Sequence, residues 1–393
     1  MSEPKRFVEA LSTLPDWRAA LVEACQRARA KLGPVPCDLA LVFVSQTWPE
    51  FDAQELPAIL AKELAPLHSL GCNASGVIAG RREVEMEPGV SVLAMRLPGV
   101  SVRGLHFAPS ELDRLEDGAA LVAALDLYPT EKPKFITFGD PMTCDAEKWL
   151  GLLTAAYPGC PVVGGLASGP LLRKPSWLLV DGEVHAAGAV AAALTGPVEF
   201  LPVVAQGCRP IGEPLIVTKA EGNVLQELGG RQPLEVLRET LSRCSPEDQR
   251  LARHSLFAGL VMNEYRSGFK RGDFVVRNLM GFDPDSGHLV VGAALRRGQT
   301  LQFQLRDAQT SDQDLQTLLG AIPEADASPR AALLVSCCGR GKGLYGEPDH
   351  DATVVQTMAG PLPLAGFFAN GEFGQVGGRN FVHGYTTSLV VIR

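Results

Sequence analysis

Gly164-Gly165-Leu166-Ala167-Ser168-Gly169 decides the reading of this chain. Its pattern stands again at Gly71-Cys72-Asn73-Ala74-Ser75-Gly76 and at Gly366-Phe367-Phe368-Ala369-Asn370-Gly371. Each copy follows a short apolar run, and a weaker relative stands at Gly259-Leu260-Val261-Met262-Asn263. Recurrence of so improbable a string means that one small unit was duplicated. It also marks strand ends that open into glycine turns, with backbone N–H groups free to meet a ligand.

Upstream of the first copy, Trp17, Leu21, Ala24, Ala28 and Leu32 repeat at helical spacing, and Gly33-Pro34 ends that helix. Residues 39–44 are continuously apolar, as in a strand buried on both faces. A second helical stripe (Leu56, Ile59, Leu60, Leu64) leads to a short strand and the motif, a βαβ unit. Residues 90–97 and 100–107, on either side of Pro98-Gly99, read as an antiparallel pair. Residues 110–127 read as one helix capped by Ser110. The second copy repeats the order: a strand at 134–138, a helix at 145–157 and a short strand at 161–164. Asp181-Gly182 between the apolar runs 177–180 and 184–193 then predicts a hairpin.

Farther on, turns at 207–210 and 221–223 flank a strand at 215–219, and a helix covers 233–244. Strands follow at 256–262, 273–277, 288–291 and 301–305, then a helix at 311–320. A strand at 331–337 enters a glycine-rich loop, a helix lies near 350–359, and a strand at 363–368 reaches the third motif. Residues 387–392 close the chain as a strand. The fold class is α/β: two pseudo-repeated halves of mixed β-sheet with helices. Both are built from duplicated strand–helix–strand–glycine turn–hairpin units. The expected divisions are a helical lead-in at 1–37 and domains at 38–228 and 229–393.

At 393 residues, 46% apolar and 20% charged, the chain suits a globular protein of more than one domain. A net charge of −8 argues against nucleic acid as partner. No apolar run is long enough to span a membrane. Residues 1–6 lead into no apolar leader core, and nine cysteines without one fit a reduced cytoplasm.

Several residues could carry chemistry. The turns at Gly71 and Gly164, with Asn73, Ser75, Ser168 and Asn370, could hold an anion such as a carboxylate, or could serve tight packing alone. Arg340, in Ser336-Cys337-Cys338-Gly339-Arg340-Gly341, stands at a strand end where it can grip a carboxylate in a bidentate fork. Cys337 and Cys338 are either small buried hydrophobes or thiols activated by Arg340. Their vicinal spacing is not that of zinc ligands, so no metal is expected. Cys72 is a conceivable nucleophile without an assignable base. Arg277-Asn278 either faces a cleft or ends a strand. Glu372 could take an amino group, and with Arg340 would complete recognition of a zwitterion. His383 is either a ligand or a structural hydrogen-bonding residue. No P-loop and no zinc-protease string occurs.

These residues also carry a resemblance. The chain resembles the FIST family, intracellular sensory modules with an N-terminal and a C-terminal FIST domain. The likeness runs through the first two glycine motifs and Arg82-Glu83-Val84-Glu85. It continues through Phe274-Val275-Val276-Arg277-Asn278, the Cys337-Cys338 loop, Gly346-Glu347-Pro348-Asp349-His350, the third motif with Glu372, and His383-Gly384-Tyr385-Thr386. It covers roughly residues 38–393. The resemblance implies a small-molecule ligand, with amino acids the usual suggestion, and no established catalysis. Since no residues remain for an output domain, a separate signalling protein is the expected partner. A thiol enzyme using Cys337, Cys338 or Cys72 is the rival reading. The family likeness also keeps open haem held by a histidine, although spacing picks none, and an interaction scaffold. No cofactor is expected under the leading reading.

Overall fold

The computed structural model describes residues 4–169, 175–266, 268–322 and 331–393. Residues 1–3, part of the stretch read for a leader, lie outside it. Two compact units form. One comprises Met1–Val204 with Gln316–Arg393, and the other Ala205–Leu315.

The first unit contains one pattern three times. Its first copy runs β1 (Arg6–Ser12), α1 (Trp17–Leu32), β2 (Cys37–Ser45), α2 (Leu56–Glu63), β3 (Pro66–Ala74), β4 (Gly76–Ala79), β5 (Arg82–Glu85) and β6 (Val90–Arg96). The second runs β7 (Ser101–Phe107), α3 (Pro109–Arg114), α4 (Gly118–Leu125), β8 (Lys134–Gly139), α5 (Ala146–Ala156), β9 (Val162–Leu166), β10 (Leu178–Val180), β11 (Glu183–His185) and β12 (Ala189–Thr195). The third opens with β13 (Phe200–Ala205) and is interrupted by the second unit.

That second unit carries β14 (Cys208–Glu221), β15 (Val224–Leu228), α6 (Pro233–Ser242), α7 (Pro246–Leu251), β16 (Leu256–Val261), β17 (Phe274–Phe282), β18 (Leu289–Val291) and β19 (Thr300–Arg306). Its six strands close into an antiparallel barrel, ordered β14-β15-β18-β17-β16-β19. It has a core of its own, including Val217, Leu225, Leu260 and Phe303. After α8 (Ala308–Gly320), the third copy resumes with β20 (Ala331–Cys337), α9 (Lys342–Tyr345), α10 (His350–Met358), β21 (Leu364–Ala369), β22 (Glu372–Val376), β23 (Arg379–His383) and β24 (Thr387–Ile392).

Each copy builds a six-stranded sheet of the same order: β1-β6-β2-β3-β10-β11, β7-β12-β8-β9-β22-β23 and β13-β24-β20-β21-β4-β5. The central pair is parallel, with the helix as its crossover. The hairpin after each glycine turn leaves its own sheet. β4 joins β21, β10 joins β3, and β22 joins β9, a cyclic exchange among the three copies. The core between the sheets takes residues from all three. Among them are Phe43, Phe138 and Phe367, whose rings lie 4.9–5.4 Å apart. Strands such as β2 and β24 are buried along their whole length, hence their continuous apolar runs. Asp16 caps α1 by accepting from the Ala19 N–H at 2.7 Å, and Gly33 (φ 78°) ends it.

Several local expectations change. β6 and β7 do not pair, because β6 lies between β1 and β2 while β7 flanks β12; Pro98-Gly99 carries the chain between sheets. The stretch 110–127 is two helices, since Asp117 starts a new one by capping Ala120 at 2.8 Å. The Asp181-Gly182 hairpin forms, but its second run splits into β11 and β12 in different sheets. Residues 208–210 lie within the long β14 rather than in a turn. Gly259 sits mid-strand in the antiparallel barrel and is not a fourth copy of the motif. The N-terminal stretch holds β1 as well as a helix, and β1 pairs along its length with β6.

Candidate functional site

The hairpin exchange brings the three glycine turns together. The Ser168 hydroxyl accepts the Ser75 N–H at 2.8 Å and donates to the Phe368 carbonyl. Asn73 Nδ2 donates to the Ser168 carbonyl at 2.7 Å, while Asn73 Oδ1 accepts from the Trp177 N–H at 2.7 Å. The Asn370 N–H donates to Leu166 O at 3.1 Å, and the Leu166 N–H to Gly371 O at 2.8 Å. Ser75 Oγ lies 3.2 Å from Cys338 Sγ, which the end of β20 supplies. Ser75 is half-buried, and Asn370 and Cys338 are exposed at this junction.

The turns are not open anion nests, because the amides of Ser75, Ser168 and Asn370 are hydrogen-bonded within the protein. The leading glycines have a packing role. A Cβ on Gly71, Gly164 or Gly366 would stand 2.2, 1.8 or 1.7 Å from the carbonyl oxygen of Val42, Thr137 or Leu334 on the neighbouring parallel strand. Cys72 is no surface nucleophile. It is fully buried in the core, and burial pushes its thiol well up.

Arg340 is buried, and its fork is taken by an internal carboxylate rather than left for a ligand. Nε meets Asp351 Oδ2 at 2.8 Å and Nη2 meets Oδ1 at 3.0 Å. Tyr345, Ser336 and Thr387 hydroxyls also reach Asp351. Burial would raise the Asp351 pKa, but the Arg340 charge and hydrogen bonds from His350, Arg340 and Thr387 hold it far below the usual carboxylate range. Arg340 Nη1 has no hydrogen-bond partner among the described residues.

Glu372 is fully buried. Its Oε2 accepts from the Thr386 N–H at 3.0 Å, whereas Oε1 has no well-formed partner among the described residues. Burial pushes this carboxyl up to about 8, against the opposing pull of Thr386, Cys337 and Arg340. Cys337 is half-buried, with Sγ 3.4 Å from the donating Gly339 N–H; burial and then Glu372 raise its thiol. Although Cys338 is exposed as a residue, desolvation by the surrounding turns raises its thiol, against hydrogen bonds from Ser75 and Ser168. His383 pairs across the hairpin with Glu372 and places Nε2 3.2 Å from Gly374 O. Arg277 and Asn278 lie in the second unit, on β17 opposite Ala258 and Phe257.

The sequence reading gave no role to Asp351, Glu83 or Tyr385. Glu83 is buried, with Oε1 accepting the Ala352 N–H at 2.8 Å and Oε2 without a partner among the described residues. Burial, then repulsion from Asp351, pushes it up to about 8. Tyr385 holds φ 61° beside the Cys337 thiol, a backbone state that costs a bulky residue about 1–3 kcal/mol. The Arg82-Glu83-Val84-Glu85 string was visible, but the burial of Glu83 was not.

A FIST N domain model matches residues 38–231, and a FIST C domain model matches residues 233–375. An uncharacterized protein of Mycobacterium bovis is 38% identical over 381 residues, covering 96% of each chain. An uncharacterized Mycobacterium tuberculosis protein gives the same figures, and another from that species is 37% identical over 382 residues, 97% of this chain and 98% of its own. With both family models matched in order on one α/β chain, the protein belongs to the FIST family, whose domains are generally regarded as sensory modules for small ligands.

Proposed function

We propose that the protein binds a small zwitterion such as an amino acid at the end of β20, beside the junction of the glycine turns. One observation carries this reading. A donor, Arg340 Nη1, and an acceptor, Glu372 Oε1, are both buried and both without a well-formed hydrogen bond among the described residues, and the Arg340 charge acts on Glu372. Buried polar groups in native proteins are almost always satisfied, so an unmatched pair of opposite polarity suits a guest carrying both a carboxylate and an ammonium group. Asn370 and Ser75 would take the ligand's remaining polar atoms. Entry requires the 338–346 loop to lift, and positive φ at Gly341 and Gly346 supplies its bending points. The nine cysteines are free, in keeping with a reducing compartment, and a separate signalling protein would read the bound state.

Titration calorimetry and thermal shift against the amino acids test the proposal. Glu372→Gln should weaken binding at least about tenfold and Asn370→Ala less, the loss of one charged contact being worth about 1.5–3 kcal/mol. No response to any amino acid at millimolar concentration would remove the ligand class.

The thiol reading now rests on Cys338, which is exposed and contacts Ser75. Iodoacetamide labelling no faster than that of a free thiol at neutral pH would count against it.

A further inference from the structure

We propose that the stacked imidazoles of His106 and His185 form a proton-operated clasp between β7 and the β10–β11 hairpin. The rings lie 3.6 Å apart between centroids and within 11° of parallel. β7 is the edge of one sheet and β11 the edge of another. Among the described residues no ladder joins the two strands, so side chains hold this seam. His106 Nε2 lies 3.2 Å from Ala187 O and donates to it. His185 Nε2 is buried, has no hydrogen-bond partner among the described residues, and stands 3.7 Å from Glu183 Oε2.

Among the described residues the charged surroundings are few. The hairpin contributes Asp181 and Glu183, β3 contributes His68, and β7 contributes Arg103, while β10 and β12 carry no ionisable side chain. Asp181 is already engaged by His68, 3.1 Å away, and Arg103 donates to the Leu125 carbonyl. Among the described residues, this leaves Glu183, largely solvated, to compensate a proton on the stack. Two neutral imidazoles stack face to face, and a single proton can be shared with Glu183. A second proton sets two cations against each other in a half-buried seam.

Burial, and then His106, hold His185 below its ordinary value. A histidine of lowered folded pKa contributes full stability above its unfolded value and loses it as pH falls from there through its folded value. Acidification below about 6.5 is therefore the opening direction. The clasp stands independently of any ligand. Loosening would nevertheless reach the glycine turns, because Trp177, next to β10, donates its N–H to Asn73.

Hydrogen exchange at pH 7.5 and 5.5, corrected for intrinsic rates, tests the clasp. Amides of 101–107 and 178–185 should lose protection about tenfold more than those of β2 and β8. His185→Gln, which cannot charge, should remove that difference. Equal protection at both pH values, or the same loss in His185→Gln, overturns the proposal. If the variant does not fold, proton NMR of the wild-type histidines decides. Coupled titration with His185 below its ordinary value supports the clasp, and two independent ordinary titrations reject it.

Discussion

Arg340 and Asp351 form a buried ion pair whose members each lean on the other. Removing one partner leaves an uncompensated charge, so Asp351→Asn or Arg340→Ala should cost about 3–5 kcal/mol in chemical denaturation. The two raised carboxyls act in the opposite sense. Glu83 and Glu372 bind protons more tightly folded than unfolded, so their contribution to stability is full at acid pH and falls as pH rises through their folded values near 8. Glu83→Gln should therefore raise the melting temperature more at pH 8 than at pH 5, with a difference up to about 1.4 kcal/mol per pH unit. An unchanged difference between the two pH values would show that Glu83 is ionised in the fold. Residue types at the proposed site were legible, for Arg340, Glu372, Ser75 and Asn370 were all read as polar candidates. Their partners were not. Asp351 is eleven residues from Arg340, and only the fold of the loop and α10 brings it into the arginine fork.

At the scale of elements, the glycine motif is a device for packing two parallel strands. Gly164→Ala places a methyl 1.8 Å from the Thr137 carbonyl oxygen, at a φ of 147° that disfavours any side chain. It should destabilise by about 3 kcal/mol or more. Gly151 supplies the contrast, because it lies exposed on α5 with nothing within 4 Å of its Cβ position. Gly151→Ala should stabilise by about 0.4–1 kcal/mol through helix propensity and unfolded-state entropy. If both substitutions behave alike in thermal melts, the packing role is wrong. Local signals located most helices and strands, since periodicity and caps act within a few residues. The Pro98-Gly99 turn misled because the same dipeptide can close a hairpin or carry a chain from one sheet to the next, and only partner strands distinguish the two.

At the scale of the molecule, the two units have separate cores, and the barrel interrupts the third copy of the repeat. Calorimetry is expected to resolve two transitions, and hydrogen exchange to show the barrel strands opening as one group. A single transition with uniform exchange would mean that the units unfold together. The sequence by itself determined that one unit recurs, that its parallel strands are buried on both faces, and that glycine must stand where those strands meet. These properties follow from side-chain size and hydrophobic pattern, which are written locally. The tertiary structure alone decided that hairpins are exchanged in a ring, that the turn amides are occupied, and that Arg340 faces Asp351. Each of these depends on which distant strand supplies the missing hydrogen bonds, and a strand edge accepts any partner that the packing of the whole core delivers to it.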